Sequence, residues 1–209
     1  MTQARGKFIV IEGVDGAGKS TQAYLLSKYL GEKKVRVLPT REPGGTTIGE
    51  RIREILLDPN GSEITHECEL LLYMASRAQL VGEVIRPSLD AGYVIVSERY
   101  IWSSIAYQGY AGGVSPDAIE TIGKYATGGL LPDLTIILDI DPGVASNREK
   151  EGGAGYDRIE KKGVEFQKRV REGFLEIAKR HSDSMKIVDA SQSPRRVHEE
   201  IKKLVNSVL

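Results

Sequence analysis

The sequence has a single cysteine, Cys68, among its 209 residues. No intrachain disulfide can form, and a reducing interior is the expected setting. Nothing near Cys68 marks it as an activated nucleophile, so a buried or inert thiol is expected. An excess of either charge is also missing, because 29 Lys and Arg balance 29 Asp and Glu. That balance argues against a protein held on nucleic acid by its overall field, although clustered arginines can still grip a small anion. No apolar run approaches the length of a membrane span, and the polar stretch Met1 to Lys7 enters a strand without a signal-peptide core. A cytoplasmic protein with no membrane partner is therefore expected. Internal repeats and low-complexity linkers are lacking too, and the length suits one domain over residues 1–209.

What is present is an alternation of short β-branched runs with helical periodicity. Phe8 to Ile11 reads as a buried parallel strand, followed by a helix from about Lys19 to Leu30. Val35 to Leu38 reads as a second strand stopped by Pro39, and Thr47 to Leu57 returns to helical spacing. A long helical stretch runs from His66 to Leu89, and further strands are expected at Tyr93 to Val96, Leu134 to Leu138 and Met185 to Val188. Such alternation predicts an α/β fold: a five-stranded parallel sheet with helices on both faces. One segment breaks the pattern. Glu149 to Tyr156 holds Gly152, Gly153 and Gly155, too many glycines for a helix, and reads as a surface loop or a lid.

Gly13, Val14, Asp15, Gly16, Ala17, Gly18, Lys19 and Ser20 match G-x-x-x-x-G-K-[ST], after a strand and before a helix. In such a P-loop the glycines let backbone N–H groups reach phosphate oxygens at a helix N-terminus. Lys19 is expected on the β and γ phosphates and the Ser20 hydroxyl on Mg²⁺, so ATP and Mg²⁺ are the expected ligands. A small-GTPase switch is the rival of another class. Asp58 to Gly61 formally fits D-x-x-G but sits in a helix-ending turn, and no N-K-x-D stands anywhere to read guanine.

Four arginines, Arg41, Arg53, Arg77 and Arg99, fall at strand ends or on the helices that follow them. Open α/β sheets bind ligands at the carboxyl ends of their strands, and arginine offers phosphate a planar fork. Arg99 also precedes an aromatic, polar run from Tyr100 to Gly109 that can face a base and sugar, or pack as core.

In this order and spacing the motifs resemble the thymidylate kinase family, a group of P-loop nucleoside monophosphate kinases, over almost the whole chain. The resemblance rests on Phe8 to Thr21, Thr40 to Thr46, Leu71 to Arg77, Ser97 to Tyr100, Asp157 to Glu160 and Asp189 to Ser191 with Pro194. It implies transfer of a phosphoryl group from ATP to dTMP in dTTP synthesis, a P-loop fold with a lid at about 149–158, and a homodimer. It further implies that Asp15 approaches the acceptor 3′-hydroxyl, Tyr73 stacks on thymine and Arg77 bonds a base carbonyl. Arg99, with Arg53 or Arg41, would hold the acceptor phosphate. Ser103, Ser104, Tyr107 and Gln108 would line base and sugar, and Ser191 would lie beside adenine.

Two departures stand out. Glu98 occupies the family's usual aspartate position near Mg²⁺, and Gly16 leaves the P-loop without an arginine. Catalytic charge is then expected from the lid, where Arg158, Arg148 and Lys150 are the candidates, Arg158 first. A kinase for another nucleoside monophosphate, or a nucleotide-binding protein without turnover, are the alternatives.

Overall fold

The computed structural model describes residues 5–61, 63–151 and 157–209, the side chains of 149–151 excepted. The glycine-rich part of the expected lid, with Gly152, Gly153 and Gly155, and the Lys150 side chain lie outside the described residues. The strands are β1 (Phe8–Glu12), β2 (Val37–Arg41), β3 (Val94–Glu98), β4 (Leu134–Asp139) and β5 (Met185–Asp189). All pair in parallel in the order β2-β3-β1-β4-β5, with Ile9 level with Val96 on one side and Leu134 on the other. β1 is buried at every position, which requires cover on both faces of the sheet.

The helices are α1 (Lys19–Glu32), α2 (Thr47–Leu57), α3 (His66–Leu80), α4 (Arg86–Asp90), α5 (Ile101–Ser104), α6 (Pro116–Thr127), α7 (Pro142–Glu151), α8 (Gly163–Arg180) and α9 (Pro194–Asn206). α1 packs on β1, β2, β3 and α9, while α8 packs on β4, β5 and α7. Two π-helical stretches, Val81–Ile85 and Ile105–Ala111, continue α3 and α5. The first joins α3 to α4, so the long stretch expected from His66 to Leu89 is one helical path with a bulge rather than a regular helix.

Pro39 does not end β2; it lies inside the strand, level with Val96. β2 is the edge of the sheet, where a missing N–H breaks no ladder on the open side. Cys68, expected as a buried or inert thiol, is exposed near the start of α3 rather than buried.

Every strand ends on a charged residue, Glu12, Arg41, Glu98, Asp139 or Asp189, so the carboxyl edge of the sheet is a line of ionisable groups. At the centre of that edge Gly13 turns the chain out of β1 with φ 145°. A Cβ there would sit 2.8 Å from the Leu138 carbonyl oxygen, which belongs to a central strand and cannot yield. Gly13→Ala should therefore cost about 1–3 kcal/mol in urea-unfolding stability through backbone strain alone, and lower nucleotide affinity as the loop shifts. Equal midpoints for variant and wild type would show that the strand–loop junction is not tight.

Candidate active site

The P-loop leaves β1 at Gly13 and closes on α1 with Gly18 at φ 91°. The Lys19 ammonium is folded into it, donating to the Val14 carbonyl at 2.7 Å and the Gly13 carbonyl at 3.1 Å. Burial, with Arg99 nearby, lowers Lys19 to about 8. Residues 15–22 form one wall of a cleft of about 900 Å³.

Beside it the cleft is lined by Arg99, which directly follows β3 and adopts φ 67°. A non-glycine residue pays strain in that region, and such residues persist where the surroundings over-determine them. Arg99 is fixed by its own amide on the Ile11 carbonyl at 3.0 Å, by Ser103 Oγ at 3.2 Å, and by an ion pair to Asp15. Its guanidinium also lies 4.8 Å from the Tyr107 ring centre. Asp15 in turn accepts from Tyr107 Oη at 3.1 Å and Gln167 Nε2 at 2.8 Å, both on Oδ2. Although burial works against it, Arg99 and Lys19 hold the Asp15 carboxyl below its ordinary range.

Glu12, the fully buried last residue of β1, secures the segment after Arg99. Its Oε1 accepts from the Tyr100 and Ser103 amides at 2.8 and 3.2 Å, and its Oε2 from Ser103 Oγ at 2.6 Å. Burial raises its pKa against these bonds. A strand residue thus supplies the cap that α5 lacks in its own sequence.

Near the phosphate end, Ser20 Oγ donates to Glu98 Oε2 at 2.5 Å, so the longer side chain at position 98 does reach the loop. No group of three or more His, Cys, Asp or Glu that could hold a metal occurs among the described residues. A hydroxyl beside one carboxylate still fits Mg²⁺, which keeps several waters and draws further oxygen ligands from substrate phosphates. Arg41, clamped by Glu50 at 2.9 Å, and Arg53, held by the Pro43 carbonyl at 2.9 Å, line the cleft with Tyr73, Ser103, Ser104, Tyr107 and Gln108. Burial, with Arg41 close by, lowers the Arg53 pKa.

At the far end Ser191 and Arg148 line the cleft together. Arg148 donates to the Ala190 and Ser191 carbonyls at 3.0 and 3.3 Å, which ties α7 to the loop after β5. After the undescribed segment, Asp157 and Glu160 form a reciprocal capping box. Asp157 Oδ1 accepts from the Glu160 amide at 2.9 Å, and Glu160 Oε2 from the Asp157 amide at 2.8 Å.

Two expected site residues are engaged elsewhere. Arg77 is 1 % exposed and does not line the cleft. Its Nη2 is 2.7 Å from Glu42 Oε2, its Nη1 donates to Ser104 Oγ at 3.1 Å, and its Nη2 also donates to the Tyr100 carbonyl at 3.0 Å. It stands behind Ser104 rather than in front of it, because the buried Glu42 carboxylate needs a cation. Burial still pushes Glu42 up to about 7. Arg158 likewise turns from the cleft, with Nε on the Leu56 carbonyl at 2.8 Å and Nη2 2.7 Å from Glu69 Oε2. The residue favoured as catalytic cation is thus paired with a buried acid.

Glu12, Glu69 and Gln167 escaped the sequence reading. Each had a signal. Glu12 interrupts an apolar strand, Glu69 stands four residues before Tyr73 on one helix, and Gln167 lies three before the buried Val170.

A parallel sheet whose P-loop shares one cleft with Arg41, Arg53 and Arg99 defines a P-loop phosphotransferase with a phosphorylated acceptor. The family model described as thymidylate kinase matches residues 11–201. The thymidylate kinase of Carboxydothermus hydrogenoformans is 47 % identical over 198 residues, covering 95 % of this chain and 96 % of that protein. That of Pelotomaculum thermopropionicum is 45 % identical, covering 98 % and 95 %. The crystal structure of thymidylate kinase from Ehrlichia chaffeensis superposes with a TM-score of 0.78 at 32 % identity, covering 96 % of this chain and 99 % of that one. The chain belongs to the thymidylate kinase family.

Proposed function

We propose that this enzyme transfers the γ-phosphoryl group of ATP to dTMP, giving ADP and dTDP. The observation that carries the reading is the Arg99–Asp15 ion pair. It puts a residue of the donor loop into the wall of the acceptor pocket, as a two-substrate cleft requires. In the reaction an acceptor phosphate oxygen attacks the γ phosphorus in line, and the bond to the bridging oxygen of ADP breaks. That oxygen is already nucleophilic, so no general base is needed; positioning and charge carry the catalysis.

Lys19 leaves the loop carbonyls for the β and γ phosphates, and Arg99 with Arg53 and Arg41 grips the acceptor phosphate. Ser20 and Glu98 would hold Mg²⁺, which would supply neutralisation of the phosphate charge. Tyr73 stacks on the base, Gln108 and Ser104 bond its edge, and Asp15 takes the 3′-hydroxyl. Arg148 and Ser191 border the adenine end, and Arg148, unlike Arg158, lines the cleft.

Coupled ADP release with a panel of nucleoside monophosphates tests the reading. Fastest turnover with dTMP is expected, and a better purine or cytidine substrate would overturn it. Among the described residues no helix is long and apolar enough to cross a membrane. A cytoplasmic homodimer is the assembly we infer from family membership. The apolar side chains Leu70, Met74, Leu80, Val81 and Ile85 are buried within one subunit, which leaves Leu71, 55 % exposed, on the outer face of α3.

Tyr107 reads the sugar in this scheme. Its ring is pinned between Arg99, Phe166 and Phe174, and its hydroxyl is held by Asp15, so it cannot swing aside for a 2′-hydroxyl. Tyr107→Ala should narrow the preference for dTMP over its ribose analogue by about tenfold in kcat/KM. An unchanged ratio would remove Tyr107 from sugar selection.

A further inference from the structure

Glu69 is 2 % exposed, and no step of phosphoryl transfer uses it. Its Oε1 accepts from Gln108 Nε2 at 2.8 Å, and its Oε2 is 2.7 Å from Arg158 Nη2. Lys162 Nζ approaches the two oxygens at 3.5 and 3.4 Å. Although burial opposes it, Gln108, Lys162 and Arg158 hold the carboxyl below the usual range. The group is therefore ionised, and an ionised carboxylate only accepts.

An acceptor-only partner fixes the sense of the amide facing it. Gln108 must turn its NH₂ toward Glu69, which leaves the carbonyl Oε1 as the atom it can offer the cleft it lines. A carbonyl oxygen pairs with a ring N–H and repels a ring nitrogen lone pair. Thymine and uracil carry a hydrogen on N3, whereas cytosine carries a lone pair there. We propose that Glu69 is a positioning residue that orients the Gln108 amide so that the cleft takes an imide N–H base and rejects cytosine. The proposal rests on the reading of dTMP as acceptor. Arg158 and Lys162 serve the same purpose by keeping Glu69 charged, which gives two cations beside the lid a task in base selection.

The test is kcat and KM for dTMP, dUMP and dCMP with the wild type, Glu69→Gln and Glu69→Asp. Glutamine can donate or accept, so it lets the Gln108 amide turn over. The dTMP-to-dCMP ratio of kcat/KM should fall by about ten- to a hundredfold in Glu69→Gln, mostly in KM, with dUMP following dTMP. Glu69→Asp keeps an acceptor-only partner and should restore much of the ratio. A folded Glu69→Gln enzyme with an unchanged ratio overturns the proposal. So does an equal loss for all three substrates, which is what a merely structural residue would give. If Glu69→Gln does not fold, the double variant Arg158→Gln with Lys162→Gln, which strips both counter-charges from Glu69, is read by the same ratio, and no change there is equally fatal. Failure of the wild type to phosphorylate dTMP would instead remove the underlying assignment.

Discussion

Replacing Lys19 with methionine lowers kcat by about two to three orders of magnitude, the scale for losing one preorganised charge at a developing transition state. Methionine keeps most of the stem, so the P-loop wall stays filled and circular dichroism should be native. The ammonium donates to the Gly13 and Val14 carbonyls and stands 3.8 Å from Asp15. Those are bonds it can exchange for phosphate oxygens with little motion. Because charge builds up most in the transition state, kcat should suffer more than ATP affinity does. Equilibrium titration with ATP beside steady-state kinetics separates the two. A folded variant that keeps more than half of wild-type kcat would contradict the role given to Lys19.

The second large effect is at Arg99. Arg99→Ala should lower kcat/KM for the acceptor by about a hundredfold or more, the scale for misplacing a reacting group by an ångström. It removes the fork expected on the acceptor phosphate, and it also frees Asp15, whose position depends on that guanidinium. Arg99→Lys should fall between, since it restores charge but not the paired N–H geometry. Backbone strain can be read apart from charge. At φ 67°, Arg99→Gly should be more stable to urea than Arg99→Ala by about 1 kcal/mol, the left-handed penalty of an L-residue, while both lose activity to a similar extent. If Arg99→Ala changes only the KM for ATP, the arginine belongs to the donor side.

The legible parts of this molecule are those set by local pattern. The P-loop declares itself through spacing, and the strands through β-branched runs. Pro39 misled because an edge strand and a central strand look alike until the strand order is known, and that order depends on pairing across distant segments. Arg77 and Arg158 have partners that the sequence did not reveal, for a different reason. Sequence shows that a cation is available near the cleft, not which anion claims it first. Glu42 and Glu69 are buried carboxylates at 4 % and 2 % exposure, so each draws in the nearest guanidinium. Glu12 and Gln167 went unread because their partners, Ser103 and Asp15, lie far away in the chain.

The placement of Asp15 has a thermodynamic consequence. One carboxylate belongs by covalent connection to the loop that takes the donor, and by hydrogen bonds to Tyr107 and Gln167 in the acceptor wall. Filling either half of the cleft alters the company that carboxylate keeps, so the two binding equilibria share a coupling free energy. Linkage makes that coupling reciprocal: whatever factor bound nucleotide applies to acceptor affinity, bound acceptor applies to nucleotide affinity. The order in which the substrates arrive then changes the route to the ternary complex and leaves its total stability the same.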